Sequence, residues 1–281
     1  MTAVTTTPVE TVAEPRARFR DLLAAEWLKF WSLRSTPWSF VISALVILGL
    51  NAGMAYEHVH YWHANRSVAA TFIAGGLPLL DAFTSNAAIA MIVAAGAIGA
   101  LAVTGEYGTG LIRTTFSAVP ARRSVMAAKV SVIAVVTTVF GAVAAAASFG
   151  LTQAILSGRH AGVSLGYPGA WRVVAASALL APLSALVGAA VGAIVRHSAA
   201  AVGATIVILQ AVPLLIHDNS HLPAVIAHAL PFQAWNRLTA IPFNPVARAY
   251  PWTITGAWTV FAVWGLTAAV LAVAAVQRRD V

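Results

Sequence analysis

The chain is poor in charge and contains no cysteine. Only 9% of its 281 residues are Asp, Glu, Lys or Arg, whereas about a quarter are charged in soluble domains. Hydrophobic residues make up 59%, and the mean hydropathy is +0.81. The hydrophobic core of one water-soluble domain cannot bury this much apolar surface. The apolar runs are continuous and do not alternate with polar residues, as they would in the strands of a β-barrel. The composition therefore predicts an all-α membrane protein, and the lack of cysteine excludes disulfides and thiolate metal ligands.

Several motifs of enzymes and nucleotide-binding proteins are also missing. The sequence has no Gly-x-x-x-x-Gly-Lys-Ser/Thr segment, so it cannot bind ATP by that route. It has no Gly-x-Ser-x-Gly motif and no paired carboxylates on one helix face. No apolar run carries a charge near its centre, as proton and ion pathways do. These absences predict a protein that is not an enzyme and binds no cofactor directly.

The net charge is +8, but no basic patch is interleaved with stacking aromatics. This pattern argues against nucleic-acid binding and favours contact of Lys and Arg with anionic membrane lipid. Arginine far outnumbers lysine and alanine is abundant, which is typical of a GC-rich bacterial genome. We therefore expect a multi-pass protein of a bacterial cytoplasmic membrane.

The apolar runs predict six transmembrane helices. They cover about 38–56, 85–104, 130–156, 173–195, 199–216 and 254–276. The segments 57–84 and 217–253 are predicted to lie on the outer side, with 68–80 as a re-entrant or interfacial piece. Small residues in the second span (Gly96, Gly99) and the pairs Gly49-x-x-x-Gly53 and Gly188-x-x-x-Gly192 favour close helix contacts.

The amino-terminal region divides into two parts before the first span. Residues 1–15 are polar and without periodicity, which predicts a disordered cytosolic tail. Residues 16–36 carry an apolar stripe at spacings of three and four, typical of an amphipathic helix in the membrane interface. The alternative is a simple extension of the first span, but Pro37 argues against it. The remaining 37–281 form one six-span domain.

The distribution of Lys and Arg predicts the orientation. With six spans both termini lie on one side, and placing the amino terminus in the cytosol puts twelve of the 17 basic residues inside and five outside. The positive-inside rule favours this arrangement. The polar segment 105–129, between the second and third spans, is therefore predicted to be cytosolic.

Segment 105–129 is longer than a simple turn and is amphipathic. Residues 111–116 are predicted to form a short helix with Thr109 as its N-cap, ended by Pro120. Leu111, Ile112 and Phe116 would form an apolar ridge, and Arg113 a charged contact. This pattern predicts a docking surface for a cytosolic partner. The alternative is an ordinary interfacial loop.

This segment resembles the permease subunits of type 2 ABC exporters. The similarity lies in Glu106-Tyr107-Gly108-Thr109-Gly110-Leu111-Ile112-Arg113, followed by Arg122-Arg123 and Lys129. Gly110-Leu111 departs from the family, in which Gly-Thr is commoner. The segment Ala25–Phe30, before Ser35-Thr36-Pro37-Trp38, is similar to the family's amino-terminal elbow helix.

The resemblance implies a permease that forms a homodimer and pairs with separate ABC ATP-binding subunits. ATP used by those partners would drive export through contacts with the elbow helix and a coupling helix between the second and third spans. The residues that would carry contacts or force are Glu106, Tyr107, Thr109, Gly110, Arg113, Phe116, Glu26 and Lys29.

A second hypothesis uses the histidines of the predicted outer face. The segment Glu57-His58-x-His60-Tyr61-Trp62-His63 has ligand types that zinc and copper accept. It would make the chain a membrane-embedded metal-handling protein or enzyme. The alternative is that these residues are amphipathic side chains at the outer interface. The histidines concerned are His58, His60, His63, His160, His217, His221 and His228.

Overall fold

A computed structural model describes residues 18–61, 66–216, 220–240, 250 and 252–276. These residues form helices and connecting turns, with no strand among them, which confirms the all-α prediction. The predicted disordered tail, the basic carboxyl end, His63 and His217 lie outside the described residues. The helices are α1 Phe19–Ser32, α2 Ser35–Tyr61, α3 Arg66–Ala74, α4 Leu77–Ala82, α5 Ser85–Gly108, α6 Leu111–Ala118, α7 Arg122–Ser157, α8 Ala170–Val195, α9 Ser198–Ile206, α10 Val212–Leu215, α11 His221–His228, α12 Pro231–Thr239 and α13 Ile254–Ala275.

Five of the described helical segments are long and apolar enough to cross a membrane. They are α2, α4 with α5, α7, α8 and α13. The predicted fifth span does not reach this length as a regular helix, because α9 passes into a π-helical turn at Val207–Ala211 before α10. Pro213 accounts for the break, since it has no N–H to donate to the carbonyl four residues earlier. The structure thus supports a membrane protein with five candidate spans, and the sixth span and the orientation stay predictions.

Helix α8 lies at the centre of the bundle, where small residues let its backbone approach α5 and α7 closely. A Cβ atom at Gly188 would overlap the carbonyl group of Gly96, and one at Gly99 would overlap that of Ala185. A Cβ at Gly141 of α7 would similarly meet Ala178 of α8. The predicted close packing of the second and fourth spans is therefore confirmed, and van der Waals contact between backbones holds this core.

Helices α2 and α13 lie at the periphery. Only 22% of the apolar window of each is buried, against 67% for α8. At Gly49 and Gly53 a Cβ atom would meet nothing within 4 Å. The Gly49-x-x-x-Gly53 pair therefore packs against no described helix of the same chain.

Buried polar side chains join helices that are distant in sequence. The Asn51 amide donates to Ser148 Oγ at 3.0 Å, and its carbonyl oxygen accepts from the Thr84 N–H at 3.0 Å. Gln153 donates to the Pro78 carbonyl at 2.9 Å and accepts from the Val163 N–H at 2.8 Å. Both side chains bond neighbouring protein groups, as expected for polar groups in an apolar bundle.

The segment 68–80, predicted to be a re-entrant or interfacial piece, is helical: it forms most of α3 and the start of α4, which Gly75 and Gly76 separate. Because α4 belongs with α5 to a candidate span, the place of this segment relative to the membrane stays a prediction. Helix α4 is bonded to the end of α7 by Gln153, which donates to the Pro78 carbonyl. The Tyr167 hydroxyl also donates to the Ile73 carbonyl at 2.6 Å. Helix α4 is therefore tied to α7, and α3 to the loop after α7.

At the opposite end of the bundle, α1 and α2 are separate helices. The break falls at Leu33–Arg34, and Pro37 lies within the first turn of α2, where a missing N–H costs little. Within the predicted 16–36, Phe19–Ser32 forms a helix separate from α2, and its place in the membrane interface stays a prediction. The expectation that Pro37 itself marks the boundary was wrong by a few residues.

Candidate functional site

The turn between α5 and α6 sets the position of the short helix. Gly110 is the N-cap of α6 and has a φ of 72°, a left-handed conformation that favours glycine. Thr109 instead ends α5, and its hydroxyl donates to the Gly105 carbonyl at 3.0 Å. The prediction that Thr109 is the N-cap of α6 was therefore wrong. Thr109 still belongs to the end of α5, and the turn into α6 falls at Gly110, one residue later.

Helix α6 has a buried face and an exposed face. Ile112 and Phe116 are 3% and 7% exposed and belong to the main core. The guanidinium of Arg122 lies over the Phe116 ring at 5.4 Å. Leu111, Arg113, Thr114 and Ser117 are exposed. The expected apolar ridge is thus turned inward apart from Leu111, so Ile112 and Phe116 anchor the helix and the outward surface is mainly polar.

Four charged side chains, three of them buried and Lys29 partly exposed, form an ionic cluster beside this helix. Lys129 Nζ of α7 donates to Glu26 Oε2 of α1 at 2.6 Å and to Glu106 Oε1 of α5 at 2.8 Å. Lys29 Nζ of α1 contacts Glu26 and lies 2.9 Å from Glu106 Oε1. We call Glu26, Lys29, Glu106 and Lys129 the ionic cluster. It links three helices that are far apart in the sequence.

The ionic cluster is electrically balanced and largely shielded from solvent. Glu26, Glu106 and Lys129 are 3%, 8% and 6% exposed. Burial lowers the pKa of Lys29, but its bonds to Glu26 and Glu106 outweigh this, so its pKa lies above the ordinary value. Two carboxylates and two ammonium groups compensate each other, which is the condition under which buried charges are tolerated.

A cavity of about 310 Å³ opens beside the ionic cluster. Its walls come from α1, the start of α2, and facing parts of α5, α6 and α7. All four members of the ionic cluster line it, together with Leu33, Ser39, Leu111 and other residues. The cavity lies where α1, the long helices α5 and α7, and α6 converge.

Tyr107, the residue after Glu106 on α5, makes a contact with the end of α8. The guanidinium of Arg196, which ends α8, sits 5.1 Å from the centre of the Tyr107 ring, within the range of a cation–π contact. Arg196 adopts a left-handed conformation at the helix end. Tyr107 thus connects α5 to the turn between α8 and α9.

The structure brings some of the predicted site residues together and separates others. Glu26, Lys29 and Glu106 meet in the ionic cluster, where their burial leaves Glu26 and Glu106 unable to act as surface contacts. Arg113 is exposed on α6 and Phe116 is buried beneath it. Sequence reasoning missed the central role of Lys129, which it treated as a basic residue at the start of the third span. No local signal identifies it, because Lys129 stands directly before the apolar run 130–156, where basic residues are common.

The histidines of the second hypothesis have other contacts. His58 Nδ1 lies 2.8 Å from Asp81 Oδ2, and Asp81 is 1% exposed. The His60 ring stacks on Tyr56 at 5.6 Å, and the His228 ring stacks on Trp252 at 4.6 Å. In the part of the chain that the structure describes, no three His, Asp or Glu residues are grouped so that they could hold a metal ion.

Comparison with known proteins adds no assignment. No protein-family model matches this sequence, and no curated protein is similar to it. The resemblance to type 2 ABC permeases therefore stays a prediction from the residues named above.

Proposed function

We propose that this chain is the membrane-spanning permease subunit of an ABC exporter in a bacterial cytoplasmic membrane. In this proposal it forms the substrate pathway, and a separate ABC ATP-binding subunit supplies the energy. The observation that carries the proposal is α6, a two-turn helix suspended between two long apolar helices. A loop that only reverses the chain needs neither a regular helix nor anchoring side chains.

The two faces of α6 suit a helix that receives force from a cytosolic partner and transmits it to the helix bundle. The exposed side chains of Arg113, Thr114 and Ser117 offer a polar docking surface to a cytosolic partner. The buried side chains of Ile112 and Phe116 fix the helix to the bundle. Since closely packed interiors deform little, a push on the exposed face would be passed on to the helices beneath it.

The ionic cluster supports transmission to more than one helix. Its hydrogen bonds hold α1, α5 and α7 together at one level of the bundle. Separating these helices would leave unpaired charges in a shielded site, which costs several kcal/mol. In the proposed mechanism α1, α5 and α7 therefore move as a unit when the ATP-binding subunits close. Glu26, Lys29 and Glu106 act as positioning residues, and Arg113 as a contact.

The proposed assembly contains two permease copies and two ATP-binding subunits. The exposed apolar faces of α2 and α13 provide surface for lipid and for a second permease copy. The chain itself supplies no ATP-binding motif. ATP is therefore a ligand of the partner in this proposal.

The orientation can be tested by cysteine labelling, because the chain has no cysteine of its own. Ser117 of α6 and Ser157 at the far end of α7 are both exposed serines. In intact cells we expect a membrane-impermeant maleimide to label Ser157→Cys and not Ser117→Cys, and to label both after permeabilisation. The reverse pattern would place α6 outside the cell and contradict the proposed function.

Partner contact can be tested by photo-crosslinking in native membranes. A photoreactive amino acid at Thr114 is expected to crosslink a protein that carries a Gly-x-x-x-x-Gly-Lys-Ser/Thr motif and is labelled by azido-ATP. Thr138, an exposed threonine in the middle of α7, is the matched control. Adding Arg113→Glu should lower the crosslink yield about tenfold, since reversing a contact charge opposes docking.

Arg159→Glu, at a partly exposed arginine beyond the end of α7, should leave the Thr114 crosslink unchanged. Equal capture of the ATP-binding protein at Thr114 and Thr138, or its absence at Thr114, would contradict the proposal.

A further inference from the structure

Two adjoining cavities open at the end of the bundle opposite α6. One has a volume of about 870 Å³ and lies between α2, α4, the start of α5 and α12. The other has a volume of about 610 Å³ and lies between α2, α3 and the start of α4. Glu57, His58 and Leu77 line both. The sizes fall within the range of sites that bind small organic molecules.

The described lining of these cavities is acidic, although the chain as a whole carries +8. It contains the carboxylates of Glu57 and Asp81 and the imidazole of His58, with no Lys or Arg among the described lining residues. With the exposed Glu57 ionised, the sum is negative unless both Asp81 and His58 are protonated. Arg172 and Arg237, from α8 and α12, are bonded to backbone carbonyls of Leu238, Ala240 and Trp252.

Apolar and aromatic residues make up much of the remaining lining, beside the uncharged polar residues Thr71, Thr84, Ser85, Asn86, Asn236 and Thr239. Leu50, Met54, Leu80 and Phe83 line the larger cavity, and Phe72 and Tyr61 line the smaller one. Gly49 and Gly53 leave open space along the α2 wall. An apolar wall that carries carboxylates suits a ligand with a hydrophobic body and a positive charge.

The carboxylate of Asp81 is held in place by the side chains around it. Asp81 is 1% exposed and meets His58 at 2.8 Å, and the His58 ring packs edge-on against Phe72 at 5.3 Å. The bonds of Gln153 to Pro78 and of Tyr167 to Ile73 hold α4 and α3, which carry Asp81 and Phe72. The site is therefore formed before any ligand arrives, which lowers the entropic cost of binding.

We propose that these cavities form a binding site for hydrophobic organic cations, with Glu57 as the charge partner of the ligand and the His58–Asp81 pair as a fixed polar wall. That such cations are also the exported cargo rests on the proposed function. Binding itself needs neither ATP nor a partner subunit. A protein that binds these cations but has no ATP-binding partner would contradict the proposed function and leave this site intact.

The test uses two probe ions of the same shape and opposite charge, tetraphenylphosphonium and tetraphenylborate. Binding to the purified chain in nanodiscs is measured by equilibrium dialysis, with protein-free nanodiscs subtracted to remove partition into lipid. We expect saturable binding of the cation and none of the anion. Glu57→Gln should weaken cation binding about tenfold, because it removes one unit of charge from the site.

A second variant tests the cavity without altering charge. Gly53→Leu fills the open space on α2 and replaces a helix-disfavouring residue, so it should fold and abolish cation binding. Gly265→Leu, at an equally open glycine of α13, and Asp21→Asn, at an exposed carboxylate of α1, should bind as wild type. Equal binding of both ions, or unchanged cation binding in Glu57→Gln and Gly53→Leu, would overturn the proposal.

Discussion

Replacing Lys129 with methionine is expected to lower the free energy of unfolding by about 3–5 kcal/mol, a typical cost of removing one partner from a buried ion pair. In the variant, Glu26 and Glu106 share a single ammonium group, that of Lys29, and the ionic cluster gains a net negative charge. Methionine fills the space of the lysine stem, so the loss arises from charge rather than from a cavity. Unfolding can be followed through tryptophan fluorescence, since the chain has nine tryptophans.

A double variant separates charge imbalance from loss of contacts. Lys129→Met with Glu106→Leu leaves Glu26 and Lys29 as a balanced pair on one helix. Because well-packed apolar groups can replace a buried ion pair at little cost, we expect most of the lost stability to return. Arg34→Met removes an exposed charge and should change stability by less than about 0.5 kcal/mol. A Lys129→Met protein as stable as wild type would contradict the burial of the ionic cluster.

Gly188→Ala is expected to destabilise the bundle by about 1–3 kcal/mol or more, as overpacking of a tight core does. The new methyl group would overlap the Gly96 carbonyl of α5, and a backbone group cannot rotate away as a side chain can. Relief therefore requires α5 and α8 to separate. The same unfolding measurement checks this prediction.

Gly105→Ala provides the matched control, since a Cβ at this position of α5 meets nothing within 4 Å. It should leave stability unchanged or raise it by up to about 1 kcal/mol, because alanine favours the helix over glycine. If both alanine variants behave alike, the α5–α8 contact is looser than the structure indicates.

Local patterns predicted the helical class and the position of most elements. Continuous apolar runs identified α2, α5, α7, α8 and α13, and Pro120 indicated the end of α6. Their ends were less accurate: α7 begins at Arg122, whereas the apolar run suggested about 130. Hydropathy underestimates a helix whose terminal turns carry basic residues, because those turns extend beyond the apolar layer.

Contacts between distant segments were not predictable from one sequence. Nothing in the local surroundings of Glu26, Glu106 or Lys129 shows that they meet, since each stands alone at the edge of an apolar run. The contact of Asp81 with His58 was equally unpredictable. A single acidic residue in Leu-Pro-Leu-Leu-Asp-Ala resembles a loop residue, and only the formation of α4 places it against His58. The break in the predicted fifth span was likewise hidden, since Pro213 alone does not distinguish a kink from a π-helical turn.

The length of α7 bears on the depth of the ionic cluster in the bilayer. Lys129 lies 28 residues before Ser157, the last residue of the helix, which corresponds to about 42 Å at 1.5 Å per residue. The hydrocarbon layer is only about 30 Å thick, and a tilt of about 20° still leaves an excess of about 9 Å. If the Ser157 end meets one surface of that layer, Lys129 lies beyond the other. The four charges are then shielded by protein rather than by acyl chains, at a level where water and phosphate groups are within reach.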